Sequence, residues 1–225
     1  MSWFDHLLVL IFAVVAPYHG WRNYPKFLDM LKRDPTATRR GLYLGNIIAM
    51  WAITLLLLGS WTYAGRPVSD LGLAPLAGSP AIISTAIALM VIAIVIISYR
   101  TLMQLDQKYN WTFAPELLPR SQQELNLFLV LSATAGVTEE ILFRGYLIWY
   151  LNYFGSDVFA VIASCVIFAL AHAYQGVKAM AVIFPIGMLL AFLYVYSGSL
   201  LAPMILHAAI NSYAGIYGRK VYGGE

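Results

Sequence analysis

Charged residues are scarce in this sequence, at 11% of its 225 residues, whereas 60% of the residues are hydrophobic. Soluble domains carry about 25% charged residues, so the composition excludes an ordinary soluble protein. A net charge of +3 is too small to indicate a nucleic-acid-binding surface, and we expect no nucleic-acid partner. The chain is predicted to be an all-α integral membrane protein. It should form a polytopic bundle of about seven transmembrane helices, with the lipid bilayer as a partner.

Cysteine is almost absent, since Cys165 is the one cysteine in the chain and lies in an apolar run. A single thiol excludes an intramolecular disulfide and a multi-cysteine metal site. The sequence also lacks the H-E-x-x-H pattern of many zinc hydrolases. We interpret Cys165 as a small buried core residue.

Apolar runs recur along the chain, with polar or very short loops between them. The first run is short for a span, so an interfacial helix is the alternative there. A basic loop is predicted over 20–42, with a turn or helix start at Asp34-Pro35. Tyr99 and Arg100 are predicted to close the third span. The predicted spans are roughly 3–18, 42–61, 81–98, 122–154, 157–174, 178–197 and 200–217.

Basic residues are distributed unequally between the two sides of this seven-span layout. Arg66 is the single cation on one side, and Arg144 lies within a span. Because basic loops stay in the cytoplasm, we predict a multi-pass protein with its N-terminus outside and its C-terminus cytoplasmic, in the cell membrane if the source is bacterial. The cations on the cytoplasmic side are Arg22, Lys26, Lys32, Arg33, Arg39, Arg40, Arg100, Lys108, Arg120, Lys178, Arg219 and Lys220.

The stretch from Thr138 to Arg144 places three charges inside an otherwise apolar run: Glu139, Glu140 and Arg144. Charges at membrane depth are costly, so such groups mark a functional site unless they only pair with one another. On a helix, Glu140 and Arg144 share a face, while Glu139 points about 100° away. One carboxylate can therefore pair with Arg144 while the other faces a cavity. The alternative is a buried ion pair that locks two helices together.

Further polar residues lie in the last spans. His172 follows Phe168 by one helical turn, and His207 precedes Asn211 by one turn. Taken singly, His172 suits a membrane interface, and His207 with Asn211 suits an interhelical hydrogen bond. Their presence on successive helices, next to the paired glutamates, favours one shared site.

The segment before the glutamates is too long for a single crossing. Ser121 to Glu124 resembles a capping box, and a straight helix from 122 to 154 would be about 50 Å long, against a hydrocarbon core of about 30 Å. If the crossing part begins near Gly136, Glu140 lies at about the depth of the two histidines. We therefore predict a separate, tilted or interfacial helix over 122–135, a break at Gly136, and a site that opens toward the cytoplasm.

Three motifs in this order, E-E-x-x-x-R, F-x-x-x-H and H-x-x-x-N, resemble the CAAX protease and bacteriocin-processing (CPBP, or Abi) family of intramembrane endopeptidases. Glu139, Glu140 and Arg144 match the first motif, Phe168 and His172 the second, and His207 and Asn211 the third. The resemblance implies a catalytic helical core over 121–225, preceded by helices and basic loops over 1–120 that carry no motif. It also implies hydrolysis of a peptide bond in a peptide or a prenylated protein C-terminus. Bacterial members are linked to peptide processing or to self-immunity.

Peptide hydrolysis needs an activated water, a stabilised oxyanion and a proton for the leaving amine. We expect Glu140 with His172 to activate water, His207 with Asn211 to polarise the scissile carbonyl, and Arg144 to hold Glu139. Which glutamate is the base stays open. A zinc ion held by Glu140, His172 and His207 is the alternative to a cofactor-free mechanism. A non-catalytic immunity or scaffold protein, or a small ion or proton transporter, is the alternative function.

Overall fold

The computed structural model describes residues 1–74, 77–98, 101, 104 and 114–223. Within these ranges the regular secondary structure is entirely helical, which confirms the predicted fold class. Tyr99, Arg100, Lys108 and Trp111 lie outside the described residues. The helices are α1 (Trp3–Arg33), α2 (Pro35–Tyr63), α3 (Gly78–Ile97), α4 (Gln122–Leu151), α5 (Asp157–Ala171), α6 (Val177–Ser197) and α7 (Leu201–Tyr222).

Five of these helices, α1, α2, α3, α4 and α6, are long and apolar enough to cross a membrane. Helix α5 is apolar but has 15 residues, a length of about 22 Å. Helix α7 has 22 residues and carries Arg219 and Lys220 in its last turn. Large apolar side chains such as Ile82 and Leu89 on α3 are exposed, as expected of a surface that faces lipid. The molecule is a multi-pass membrane protein, and its sidedness remains a prediction.

Capping side chains set several helix boundaries. Ser121 accepts a hydrogen bond from the backbone N–H of Glu124, so α4 begins where the capping-box pattern predicted. Asp34 accepts from Ala37 N, and Pro35 occupies the first position of α2, where its missing N–H costs nothing. The predicted helix start at Asp34-Pro35 is confirmed.

The predicted basic loop over 20–42 is wrong. Helix α1 continues to Arg33 and α2 begins at Pro35, so Asp34 is the sole non-helical residue between them. The segment Ala16–Arg33 mixes aromatic and basic side chains and has no buried residue. Such a helical segment is stable at a membrane–water interface, where both kinds of side chain find a partner.

The predicted break at Gly136 and the separate helix over 122–135 are also wrong, because α4 runs through Gly136 without interruption. A Cβ at Gly136 would lie 2.8 Å from Ala208 Cβ and 2.9 Å from the carbonyl oxygen of Met204. The glycine therefore permits a close approach of α4 to α7, and it is not a hinge. The irregular part of α4 is π-helical and spans Glu140–Leu147.

The π-helical stretch lies in the hydrophobic core. Its side chains are all buried, and Phe143 and Tyr146 pack against Phe12 of α1, while Tyr146 also packs against Trp61 of α2. At the start of α4, Glu124 accepts a hydrogen bond from Arg39 Nε at 3.0 Å. Helix α4 thus packs against helices that precede residue 120 and against helices that follow it. The predicted division of the chain at residue 120 remains a prediction.

Candidate active site

A cavity of about 480 Å³ lies between α2, α4, α6 and α7. Helices α4 and α7 run antiparallel along it, because Gly136 abuts Ala208 and Gly215 abuts Phe128. Polar side chains cluster where Glu139 and His207 meet, about 16 Å along α4 from Phe128. The apolar lining includes Leu42, Met50, Phe128, Leu131, Ile186, Leu190, Ile210 and Tyr217.

The two adjacent glutamates face different surroundings, as the sequence predicted. The Glu139 side chain is 14% exposed and lines the cavity. The Glu140 side chain is fully buried behind it. Consecutive helical residues point in directions about 100° apart, and this divergence separates an accessible carboxylate from an enclosed one.

Glu140 is held by two donors. Arg144 Nη1 donates to Glu140 Oε1 at 3.1 Å, and His207 Nδ1 lies 2.6 Å from the same oxygen. Arg144 Nη2 donates to the carbonyl of Gly187 at 3.3 Å, and the guanidinium lies 4.2 Å from the centre of the Phe168 ring. Arg144 therefore holds Glu140, and the assignment in which it holds Glu139 is wrong. The one-turn spacing on the helix decides this pairing.

His207 lies between the two carboxylates. Because Arg144 keeps Glu140 in the role of an acceptor, His207 Nδ1 is the donor in their short contact. The other ring nitrogen, Nε2, lies 3.7 Å from Glu139 Oε2, too far for a direct hydrogen bond but a separation that one water molecule can bridge. The contact with Glu140 thus directs Nε2 toward the cavity side of the site.

His172 caps the end of α5, with its Nδ1 2.9 Å from the carbonyl oxygen of Phe168. A carbonyl only accepts, so Nδ1 carries the proton, and Nε2 of the neutral ring is free to accept one. The Phe168 ring contacts both imidazoles, with centroid distances of 4.9 Å to His172 and 5.9 Å to His207. The F-x-x-x-H spacing therefore supplies an aromatic spacer between the two histidines.

The predicted site residues do come together in this arrangement. Glu139, Phe168, His172, His207 and Asn211 line the one cavity, and Asn211 lies one turn beyond His207 on α7. The other two predicted residues, Glu140 and Arg144, lie behind this lining and hold His207 and each other in place.

The three residues predicted as a zinc set do not fit a metal ion. The contacting oxygen of Glu140 is shared by a guanidinium and His207, and a ligand that faces a fixed cation binds a metal poorly. Across the described part of the chain, no group of three His, Cys, Asp or Glu side chains converges in a way that could hold a metal ion. The zinc set predicted from the sequence is therefore not assembled.

Several cavity residues were missed by sequence reasoning. Tyr174 and Gln175 follow His172 in a short 3₁₀ turn and line the cavity. Asn46 of α2 and Ser132 of α4 also line the cavity. The Tyr174 ring stacks on His172 with a centroid distance of 6.3 Å and an interplanar angle of 24°. Burial, with a smaller contribution from the Glu139 charge, raises the pKa of Tyr174, while a hydrogen bond from Gln175 opposes the rise. The position of Tyr174 and Gln175 directly after the second motif is the sequence feature that could have identified them.

Comparison with protein families supports the resemblance drawn from the three motifs. The family model described as Rce1-like, Type II CAAX prenyl endopeptidase Rce1-like, matches residues 121–213. The match covers less than half of the chain but includes every residue of the three motifs. No curated protein and no solved structure matched the chain. The predicted resemblance to CAAX proteases is confirmed, and it supports a protease interpretation of the CAAX type.

Proposed function

We propose that this protein is an intramembrane endopeptidase that hydrolyses a peptide bond of a membrane-associated, prenylated CAAX-type substrate. The observation that carries the proposal is the convergence of Glu139, His172, His207 and Asn211 on one cavity between membrane helices. These side chains supply a base, an orienting imidazole and two donors, which is the set that peptide hydrolysis requires.

Glu139 and His172 activate the attacking water. Glu139 is the carboxylate that reaches the cavity, whereas Glu140 is enclosed by Arg144 and His207. The Glu139 carboxylate accepts one hydrogen bond from the attacking water, and Nε2 of His172 accepts the water's second hydrogen bond. The water oxygen attacks the scissile carbonyl carbon while its proton passes to Glu139. This assignment replaces the sequence-based expectation that Glu140 is the base.

His207 and Asn211 stabilise the oxyanion. Glu140 accepts from Nδ1 of His207 and directs Nε2 toward the cavity, so Nε2–H is a donor in the imidazolium form of the ring, and the Asn211 amide is a second donor one turn away. Donors fixed before the reaction stabilise the tetrahedral intermediate without reorganisation. Glu139 then returns its proton to the amine nitrogen, the C–N bond breaks, and two peptides leave.

The apolar part of the cavity suits a lipid-modified substrate. Its lining side chains come from all four surrounding helices and extend about 16 Å from the polar end. An apolar chain gains about 25 cal/mol for each Å² that it buries on such a surface. We place its open end on the side of the predicted cytoplasmic loops, where a prenylated C-terminus is found.

Hydrolysis of a prenylated CAAX-type peptide by detergent-purified protein tests the proposal. We expect the wild type to cleave this peptide with a lower KM than the same peptide without its prenyl group, because the apolar wall binds the chain. His172→Gln should lower kcat by about 10²-fold or more, because the attacking water loses the acceptor that orients it.

His19→Gln is the matched control, because His19 lies on the exposed part of α1 and the variant should retain wild-type activity. Equal cleavage by the wild type and His172→Gln, or no cleavage of any prenylated peptide in a panel of sequences, would contradict the proposal. The latter result would favour a non-catalytic immunity or scaffold protein.

A further inference from the structure

A series of aromatic side chains connects α1 to His172. The Tyr24 ring of α1 lies 5.5 Å from the Tyr174 ring, and Tyr174 stacks on His172. The second aromatic neighbour of His172 is Phe168, at 4.9 Å. The imidazole therefore contacts two aromatic rings, one from its own helix and one from the turn that follows it.

The far end of this series is anchored. The Tyr24 hydroxyl donates a short hydrogen bond to the Glu116 carboxylate. Glu116 belongs to the 3₁₀ turn Pro115–Leu117, which is itself fixed, because Leu117 accepts from the Tyr43 hydroxyl at 2.6 Å and Pro115 accepts from Arg120 Nη2 at 3.0 Å. Tyr24 thus has a defined position although its segment of α1 has no buried residue.

The Tyr174 hydroxyl has its own partner in Gln175, whose side-chain amide donates to it at 2.9 Å. The ring of Tyr174 is consequently fixed by three contacts, with Tyr24, Gln175 and His172. The backbone hydrogen bond to Phe168 fixes one nitrogen of His172 but still permits the ring to tilt, and the stacked Tyr174 ring limits that tilt.

We propose that Tyr174 is a positioning residue for His172, and that Tyr24 supports it from α1, outside the segment 121–213. The proposal rests on the function proposed above, in which Nε2 of His172 holds the attacking water. A displacement of about 1 Å in such a group can lower the rate about 10²-fold, so the stack should act on kcat more than on KM.

The first test is the kinetics of peptide hydrolysis by variants in full-length, detergent-purified protein. Tyr174→Ala should lower kcat about 10²-fold with little change in KM, and Tyr174→Phe should restore most of the rate because the ring is retained. If Tyr174→Ala folds poorly, Tyr174→Leu removes the aromatic ring but keeps a larger apolar side chain, and it should show the same loss of kcat. Tyr24→Ala should have a smaller effect, and Tyr18→Ala, an exposed tyrosine on the same helix, should have none.

The second test does not depend on turnover. The chain has four histidines, so their ring Cε1–H signals in a proton NMR spectrum can be assigned with single His→Gln variants. Stacking on Tyr174 should shift the His172 signal upfield of that of the exposed His19. Tyr174→Ala should move it downfield, and Tyr174→Phe should not.

These measurements separate the two proposals. An unchanged His172 signal in Tyr174→Ala, or equal losses of kcat in Tyr174→Phe and Tyr174→Ala, would overturn the positioning role. A wild type that cleaves no prenylated peptide, yet shows the expected shift of the His172 signal, would overturn the proposed function and leave the positioning role supported.

Discussion

Two buried charge clusters share the π-helical stretch of α4, and they differ in how completely their polar atoms are bonded. The first, which we term the N-terminal clamp, consists of Asp5, Arg66 and Tyr146. Both carboxylate oxygens of Asp5 accept from Arg66 at 2.8 Å, and the Tyr146 hydroxyl donates to Oδ1 at 3.0 Å. The backbone N–H of Ser2 donates to Oδ2 at 2.6 Å. Every oxygen of this carboxylate therefore has a partner.

Arg66 is partly enclosed in the clamp, with its side chain 21% exposed. Its guanidinium lies 5.0 Å from the centre of the Trp61 ring and 4.6 Å from that of Trp149. The hydrogen bond to Asp5 raises the pKa of Arg66, although burial opposes the rise. A charged pair with this number of partners is a structural lock between α1, α4 and the segment after α2.

The cavity cluster of Glu139, Glu140, Arg144 and His207 is incompletely bonded by comparison. Among the described residues, Glu139 Oε2, Glu140 Oε2 and Arg144 Nε are buried and have no hydrogen-bond partner. Polar atoms left unpaired in a low-dielectric interior are costly, and proteins retain them where they act on something else. The clamp, with both carboxylate oxygens bonded, thus holds helices together, whereas the cavity cluster keeps unpaired polar atoms that the proposed hydrolysis would use.

Glu139→Gln should produce the largest effect and separates the two clusters most clearly. We expect kcat for peptide hydrolysis to fall about 10³-fold, because an amide cannot accept the proton of the attacking water. The melting temperature in detergent should be unchanged, since Glu139 has no hydrogen bond to lose among the described residues. Wild-type activity in this variant would show that Glu139 is not the base.

Arg66→Gln should have the opposite pattern, with a loss of stability and retained activity. Asp5 is 4% exposed and would be left as an uncompensated buried carboxylate, which costs about 3 kcal/mol of unfolding free energy. Thermal unfolding in detergent measures the loss, and peptide hydrolysis well below the melting temperature should remain near the wild-type rate.

Lys32→Gln is the matched control for the clamp. It breaks an ion pair with Asp29 whose two side chains are 77% and 69% exposed, and water screens such a pair. We expect no measurable change in melting temperature. A melting temperature for Arg66→Gln equal to that of this control would refute the interpretation of the clamp as a lock.

Asn211→Ala tests whether the second proposed oxyanion donor of the cavity contributes to catalysis. Loss of one oxyanion donor should lower kcat about 10²-fold and leave KM nearly constant, because the donor acts on charge that develops during the reaction. Asn211→Asp, which places an acceptor near the developing oxyanion, should be at least as impaired. A change confined to KM would show that Asn211 binds the substrate without stabilising the intermediate.

Treatment with a strong chelator should have the smallest effect. Because Glu140 faces Arg144 and His207, the donor set predicted for zinc does not converge. We expect unchanged activity after dialysis against chelator, with no further gain on addition of zinc. A loss of activity that zinc reverses would contradict this expectation.

Much of the site could be predicted from local spacing. The one-turn separations of Glu140 from Arg144, of Phe168 from His172 and of His207 from Asn211 follow from helix geometry alone. Each of these pairs is found on one face of its helix or in direct contact. The helix starts at Ser121 and Pro35 were likewise predictable, because capping depends on neighbouring residues.

Contacts between distant segments could not be predicted in this way. Gly136 was interpreted as a break because bilayer thickness was weighed against helix length, whereas its role depends on Ala208 of a helix that lies some seventy residues later. Arg66 was interpreted as a topological signal, and only the packing of α1 beside the segment after α2 brings it to Asp5.

The sequence by itself therefore determined the class of protein and the residues of the three motifs that meet beside the cavity, because hydropathy and helical periodicity are local properties. The tertiary structure decided which glutamate faces the cavity and which is enclosed, that Arg144 and His207 share Glu140, and that Tyr174 stacks on His172. These outcomes depend on the depth and rotation of helices from separate parts of the chain, and such relations are fixed only when the side chains pack.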